Sequence, residues 1–582
     1  MNETLAAAIS EVETVKGRGD LLLAYDLACE HLKTWPDCEQ LKHAGLLALA
    51  RAGATAHARR LFADWNLGAS SNPHILALEA RLAKDFALKM QGDGRRAGLL
   101  QAASIYQRIH ERAPDSYLAI NMASLAFLAG EHAQAANLAH SIIAESGGAG
   151  AADYWALASR AEANLLLGRK EEARVALVEA MQRPSNAGDR SSTRRQLKLI
   201  MAHAGASDNE IAAFLTPLEP PVTVHFLSNG LPGTGWSFSQ LSETEMCRRI
   251  RQAVAGLRPG AAFGSVGTAA EIVFAEEILS FGAQLELAIP IRQSLLKKVI
   301  QANAGDPWAT RFEACCSKAH RVVLPSDDPD ATDTTQADYA VRFGMGLALL
   351  RAQHIDGVAV QVTLADAVRD HSSSHAAVWT SRGRERMKVQ LDDLVKPQES
   401  APTLDERLTH ALIFGDVLGF SSLEERLLPV FWDKVMRVIG DVADEHRNNV
   451  ELRNTWGDAV HMVLTDVRTA ARISLAVQER LTAVDGRLFE RETPPSMRIG
   501  AHYGPVFAGW DPVLHHSTFY GRALSKAARI EPIAPPGRVY VTEAFAAILL
   551  LETGQEFTCT YVGVVPLAKD FGFFRMYDLV GS

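Results

Sequence analysis

The stretch HALIFGDVLGFSSLEERLLP, residues 410–429, decides the fold of the C-terminal part of the chain. Four apolar residues, Ala411 to Phe414, lead into Gly415–Asp416, and Gly419 follows at once. A short apolar run closed by glycines reads as a buried strand, followed by a small loop that opens a helix. A carboxylate at the end of such a strand is out of place in a core. It makes sense beside a cation or a polyphosphate. A lone aspartate there would be read as a cap or turn residue.

Working outward, 582 residues are too many for one core and imply three or four domains. A net charge of −9, with no Lys/Arg cluster interleaved with aromatics, argues against a nucleic-acid partner. The six cysteines show no CxxC pair and no zinc spacing, so they read as reduced, buried thiols. The first twenty residues lack a signal-peptide pattern. No apolar run reaches the roughly 18 residues a membrane span needs. The chain is expected to be cytoplasmic, with no membrane partner.

Residues 1–215 read as helix after helix. Ala and Leu recur at helical spacing, and Gly130 and Gly168 lie in equivalent turns 38 residues apart. That spacing is close to the roughly 34-residue period of helical hairpins that stack into a solenoid. This part resembles tetratricopeptide repeats and offers a groove for a protein partner, or a structural spacer. After PLEPPV (217–222), strand-like and helix-like segments alternate through residues 220–370, which implies a parallel sheet covered by helices. Its turn Gly264–Ser265–Val266–Gly267 precedes a helix start and can bind phosphate through free N–H groups. The region resembles the Rossmann-like middle domains of some bacterial cyclase-linked proteins. Residues 371–404 turn polar and read as a linker.

Residues 405–582 carry five segments in one order: FGDVLGFSSL, NTWGDAVHMVL, MRIGAHYGPVFAG, TFYGRALSKAARI and PPGRVYVTEAF. Together they resemble class III nucleotidyl cyclases. The expected fold class is therefore multidomain: a helical solenoid, an α/β Rossmann-like domain, and an α+β ferredoxin-like cyclase domain. The resemblance implies conversion of ATP to 3′,5′-cyclic AMP and pyrophosphate, with two Mg²⁺ or Mn²⁺ ions as cofactors. It also implies a homodimer through the cyclase domain, whose two composite sites each draw residues from both chains.

Under that resemblance the metal residues are Asp416, Val417 and Asp458. The loop residues Leu418, Gly419, Phe420 and Ser421 face the triphosphate with their N–H groups, and Lys569 neutralises it. Asn454 and Thr518 meet the base. Asn454 stands where adenine-using relatives carry lysine, and Thr518 resembles ATP-using branches. Guanine-specific members tend to carry Glu and Cys at these two positions. Ser525 replaces an asparagine that orients the ribose. Arg529, four residues on and on the same helix face, is retained to stabilise the transition state. The alternatives are a degenerate, nucleotide-holding sensor and a guanylate cyclase.

Overall fold

The computed structural model describes residues 3–145, 153–228, 240–365, 372–391 and 407–581. The chain divides into two compact units. The first comprises Met1–Pro220 with His354–Gly357, and the second Pro221–Gln353 with Val358–Ser582.

The first unit is a run of α-helices, from Glu3–Gly17 to Asp208–Leu215. Small residues let consecutive helices approach closely. Ala123, Ala161, Ala173, Leu177 and Leu197 are completely buried in one shared core. The turns repeat as the sequence suggests. Gly130 and Gly168 both adopt the left-handed region that ends a helix (φ 85° and 74°), and Gly205 does the same 37 residues later (φ 82°).

The second unit holds two sheets. The first has six strands, β1 (Val222–Ser228), β2 (Pro259–Gly264), β3 (Gln284–Ala288), β4 (Arg321–Val323), β5 (Ala359–Ala365) and β6 (Arg386–Gln390). They run parallel in the order β4-β3-β2-β1-β5-β6, the doubly wound arrangement expected for this region. The central strands are buried on both faces, and β1 and β5 carry the buried polar residues Thr223, His225, Gln361 and Thr363 between their apolar ones. Val224 and Phe226 are completely buried, and Phe226 stacks on Phe274 at 4.8 Å. One expectation is corrected here. Within the stretch read as a linker, residues 386–390 form β6 and extend the sheet. Trp379, fully buried, anchors the preceding helix by donating to the Glu385 carbonyl at 2.8 Å. The polar surface composition hid one buried tryptophan and a two-faced strand. Residues 392–404 of that stretch lie outside the described residues.

The second sheet has eight strands: β7 (Arg407–Val417), β8 (Val450–Trp456), β9 (Ala459–Leu464), β10 (Met497–Asp511), β11 (His516–Tyr520), β12 (Val539–Thr542), β13 (Phe557–Pro566) and β14 (Phe573–Gly581). Their order is β13-β14-β12-β10-β7-β9-β8, with β11 paired to β10. β7 and β10 form the antiparallel centre, and β8–β9 is a hairpin turning at Gly457–Asp458.

Within this unit the two sheets are joined by paired charges. Arg407 at the start of β7 donates to Asp333 at 2.8 Å, and Arg321 of β4 donates to Glu543 at 2.9 Å. Burial alone would raise the Glu543 carboxyl, but Arg321 and Arg575 hold it down to about 2. Gly346 lies so close to the Glu543–Thr553 helix that a Cβ there would sit 2.3 Å from the Ala547 carbonyl oxygen.

Candidate active site

Asp416 stands at the penultimate position of β7, and the antiparallel register places it directly opposite Arg498 of β10. The pair is closed by a 2.7 Å hydrogen bond from the guanidinium to the carboxylate. Gly415 just before it leaves room for Met497: a Cβ there would meet the Met497 methyl at 2.5 Å and force that side chain to shift. Asp458 sits in the β8–β9 turn, after Gly457 at φ 65°. The structure brings its carboxyl against that of Asp416. Partial burial and then the charge of Asp416 push Asp458 up to about 6, from an ordinary value of 3.8.

A third carboxylate closes the group. Glu531 follows the Arg522–Ile530 helix, and its Oε1 lies 3.0 Å from Arg498 Nε, out of line for a hydrogen bond. Burial pushes Glu531 up to about 7, against the pull of Arg498 and with the repulsion of Asp416 and Asp458. Three carboxylates thus share one guanidinium. That is a cluster short of positive charge.

The donor set suits a hard divalent ion. Two carboxylates and a neighbouring carbonyl supply oxygens and leave room for phosphate and water oxygens, which is how Mg²⁺ is commonly held. Among the described residues no group of three His, Cys, Asp and Glu side chains forms a closed metal cage. Val417 itself is buried at the strand end, which leaves its carbonyl as the only polar atom it can offer.

The loop after Asp416 departs from expectation. Instead of opening a helix at once, Phe420–Ser422 and Glu425–Leu427 form two 3₁₀ turns, and the α-helix begins at Leu428. Pro429 in its first turn fixes that start. The loop is pinned from behind by Arg491, which donates to the Leu418 carbonyl at 2.8 Å and to the Gly419 carbonyl at 2.5 Å. The Leu418 N–H is taken by the Ser496 carbonyl at 2.9 Å. Those of Gly419, Phe420 and Ser421 have no partner among the described residues. Gly419 is left-handed at φ 76°.

Of the remaining residues, Ser525 is exposed and Arg529 half-buried on the Arg522–Ile530 helix, whose buried face is Ala523, Lys526, Ala527 and Ile530. Lys569 tips the β13–β14 loop, where it is exposed. That loop meets the end of the same helix, because the Ala568 N–H donates to the Arg529 carbonyl at 3.3 Å. Ser525, Arg529 and Lys569 are therefore brought to one end of the domain. Asn454, on edge strand β8, is exposed, and Thr518, on β11, is half-buried.

Three residues were missed by sequence reasoning: Arg498, Glu531 and Arg491. The first two lie in or beside motifs already singled out. Arg498 alternates with the buried Met497 and Ile499 on β10 and so faces the other side of the sheet, as period-two patterning could have shown. Arg491 lies in a loop with no periodic signal.

Residues 407–577 match the family model of the adenylate and guanylate cyclase catalytic domain, and residues 24–126 match that of the tetratricopeptide repeats-sensor. Among solved structures, the chain is similar to the guanylate cyclase domain of RhGC from Catenaria anguillulae in complex with GTP. Identity is 19%, over 30% of this chain and 96% of that one, with a TM-score of 0.26. The adenylyl cyclase CyaB from P. aeruginosa is 16% identical over 30% and 95% of the two chains, with a TM-score of 0.27. An adenylate cyclase from Trypanosoma brucei is 20% identical over 29% and 87%, with a TM-score of 0.27. No curated protein matches the chain in sequence. Among the described residues no helix is long and apolar enough to cross a membrane.

Proposed function

We propose that the adenylate and guanylate cyclase catalytic domain at residues 407–577 converts ATP to 3′,5′-cyclic AMP and pyrophosphate, at sites shared between two copies of the chain. The observation that carries this reading is the Asp416–Asp458 pair. Two carboxylates are pressed together at a strand end and a hairpin turn, and one of them is pushed up to about 6 by burial and the other's charge. Such a pair is costly unless a cation joins it. Two Mg²⁺ or Mn²⁺ ions, held by Asp416, Asp458 and the Val417 carbonyl, supply charge stabilisation and a lowered pKa for the ribose 3′-hydroxyl.

The chain's own residues do the rest. The free N–H groups of Gly419, Phe420 and Ser421, and Leu418 beside them, line the triphosphate. Arg498, which donates to Asp416 at 2.7 Å, stands beside this pair and would offer its remaining donors to the phosphates. Arg529 of the partner copy meets the α-phosphate, where charge builds as the 3′-oxygen bonds to phosphorus and the bond to pyrophosphate breaks. Ser525 holds the ribose, Lys569 the outer phosphates, and Asn454 with Thr518 the adenine edge. Thr518 can accept from the adenine amino group or donate to a ring nitrogen. The helical repeats and the middle sheet set how often two catalytic domains meet productively.

The test is a mass-spectrometric assay of the full-length protein given ATP or GTP with Mn²⁺ or Mg²⁺. Cyclic AMP that disappears in Asp416→Ala is the expected result. Cyclic GMP instead overturns the role given to Thr518. Bound nucleotide with no cyclic product under any condition favours the degenerate sensor, which the exposed Asn454 and the shortened Ser525 motivate.

A further inference from the structure

Lys526 lies between Ser525 and Arg529 on the Arg522–Ile530 helix, about 100° around the axis from Ser525, and its side chain is turned inward. Its side chain is 6% exposed. Its Nζ sits 2.5 Å from Asp327 Oδ1, whose own side chain is 14% exposed, and 4.2 Å above the centre of the Phe574 ring. Asp327 does not belong to the catalytic sheet. It lies in the loop that follows β4, at the C-terminal edge of the parallel sheet.

That loop is a fixed post. Gln336, 1% exposed, donates to the carbonyls of Pro290 and Asp328 at 2.7 and 2.8 Å. The Arg292 N–H donates to the Pro329 carbonyl at 2.7 Å. Asp333 and Asp328 both hold Arg407, at 2.8 and 3.5 Å. Two other groups face Asp327: His502, 3.8 Å away, which donates or accepts at Thr542 over 2.8 Å, and the uncharged Tyr339, whose hydroxyl donates to the Tyr503 carbonyl at 2.8 Å. Burial holds this imidazole neutral, far below its usual range. Lys526 is thus the one full charge that Asp327 answers among the described contacts.

A buried ammonium cannot wander. It must stay where its counter-charge is, because burying it alone is far costlier than burying the pair. Successive residues of a helix are 100° apart, so fixing the direction of Lys526 fixes the roll of the helix and with it the directions of Ser525 and Arg529. The remaining buried residues of that face, Ala523, Ala527 and Ile530, pack closely against β10, and the ion pair adds to that packing a charged, directional contact with the parallel sheet.

We infer that Asp327 is a positioning residue for cyclic-nucleotide synthesis: through Lys526 it sets the roll of the helix that presents Ser525 and Arg529, and so gives the parallel sheet a direct hold on the catalytic residues. The inference rests on the cyclase reading above. It also names the contact through which any change at the C-terminal edge of that sheet reaches the active site.

The experiment uses the full-length chain with Mn²⁺ and ATP, in Asp327→Asn, Lys526→Met and the exchanged pair Asp327→Lys with Lys526→Asp. A misplaced catalytic helix costs rate more than substrate binding. We expect Asp327→Asn to lower kcat about tenfold or more, with KM changed less than about twofold. The exchanged pair should recover part of that loss. Hydrogen exchange provides the second readout. Residues 522–530 should lose protection in Asp327→Asn while the Glu543–Thr553 helix keeps it. Wild-type kcat in Asp327→Asn overturns the proposal, as does protection lost evenly over the whole catalytic domain. If the wild-type chain makes no cyclic nucleotide, the cyclase reading fails by itself. The exchange pattern at 522–530 then still decides whether Asp327 positions the helix.

Discussion

Two strands of this molecule end in glycine turns that look alike in sequence and differ in what fills them. After β2, the turn Gly264–Gly267 leads to one carboxylate, that of Glu271, which gathers an N–H from the turn's last glycine and two from residues beside it. Its oxygens accept from Gly267 at 2.9 Å and from Thr268 and Ser228 at 3.1 Å. Glu271 is 5% exposed and caps the helix that follows. The anion this turn could have bound from solution is supplied by the chain. After β7, the N–H groups of Gly419, Phe420 and Ser421 have no partner among the described residues, and the carboxylates beside them repel each other. The first turn is finished and structural. The second is open on the loop side, and under the proposed function a metal-bound triphosphate would bring both a cation for the carboxylates and an anion for the N–H groups.

The sharpest way to press this difference is to remove one carboxylate from each turn. Asp416→Ala should lower cyclic-product formation by about a thousandfold or more, since it strips the metal site. Its melting temperature should hold or rise, because one of the repelling carboxylates is gone. Glu271→Ala should do the opposite. It leaves buried N–H groups unanswered and a helix uncapped, for a loss of about 2–4 kcal/mol in a denaturant melt. If Asp416→Ala melts lower and Glu271→Ala does not, the assignment of structural and functional turns is reversed.

A smaller effect comes from pH. Asp458 and Glu531 have ordinary values of 3.8 and 4.5 and are pushed up to about 6 and 7 in the fold. A carboxyl raised on folding favours the folded state below its unfolded value, and that contribution is lost as pH rises through the folded value. The metal-free protein should therefore lose part of its stability between about pH 4 and pH 7. A divalent ion competes with those protons, so Mn²⁺ should raise the melting temperature more at pH 8 than at pH 5. The gain should shrink in Asp458→Asn. A Mn²⁺ effect independent of pH would separate the metal from these two groups.

The comparison also shows what the sequence could tell. Asp416 stands out in the sequence because it ends an apolar run beside a glycine, a local pattern, whereas Asp458 follows the largely polar VELRNTWG and is singled out by the resemblance of its segment. The helical repeats were legible from Gly130 and Gly168, whose left-handed turns recur. Strand β6 was not, because its neighbours Ser381 to Glu385 are polar and its partner β5 is supplied by tertiary pairing. Glu271 was missed as the occupant of the glycine turn because the sequence shows a capping pattern but not which N–H groups converge. Arg498 was missed because its partner lies 82 residues away, opposite it only once β7 and β10 pair.

The smallest expected effect concerns Ser525. It is exposed, about 100° around the helix from the buried Lys526, so the wild-type hydroxyl is free to reach a ribose but is short. Ser525→Asn lengthens the reach by one heavy atom and adds both a donor and an acceptor, without touching the buried face. The substitution should leave stability within about 0.5 kcal/mol, as surface changes usually do. It should raise kcat about three- to tenfold, the worth of roughly one added hydrogen bond in the transition state. The gain should depend on the helix being held. In an Asp327→Asn background the same change should yield less, because a longer side chain on a rolling helix is aimed no better than a short one. A gain of equal size in both backgrounds would show that Ser525 limits the rate by chemistry alone. No gain in either, with nucleotide still bound, would place this chain among domains that hold a nucleotide without turning it over.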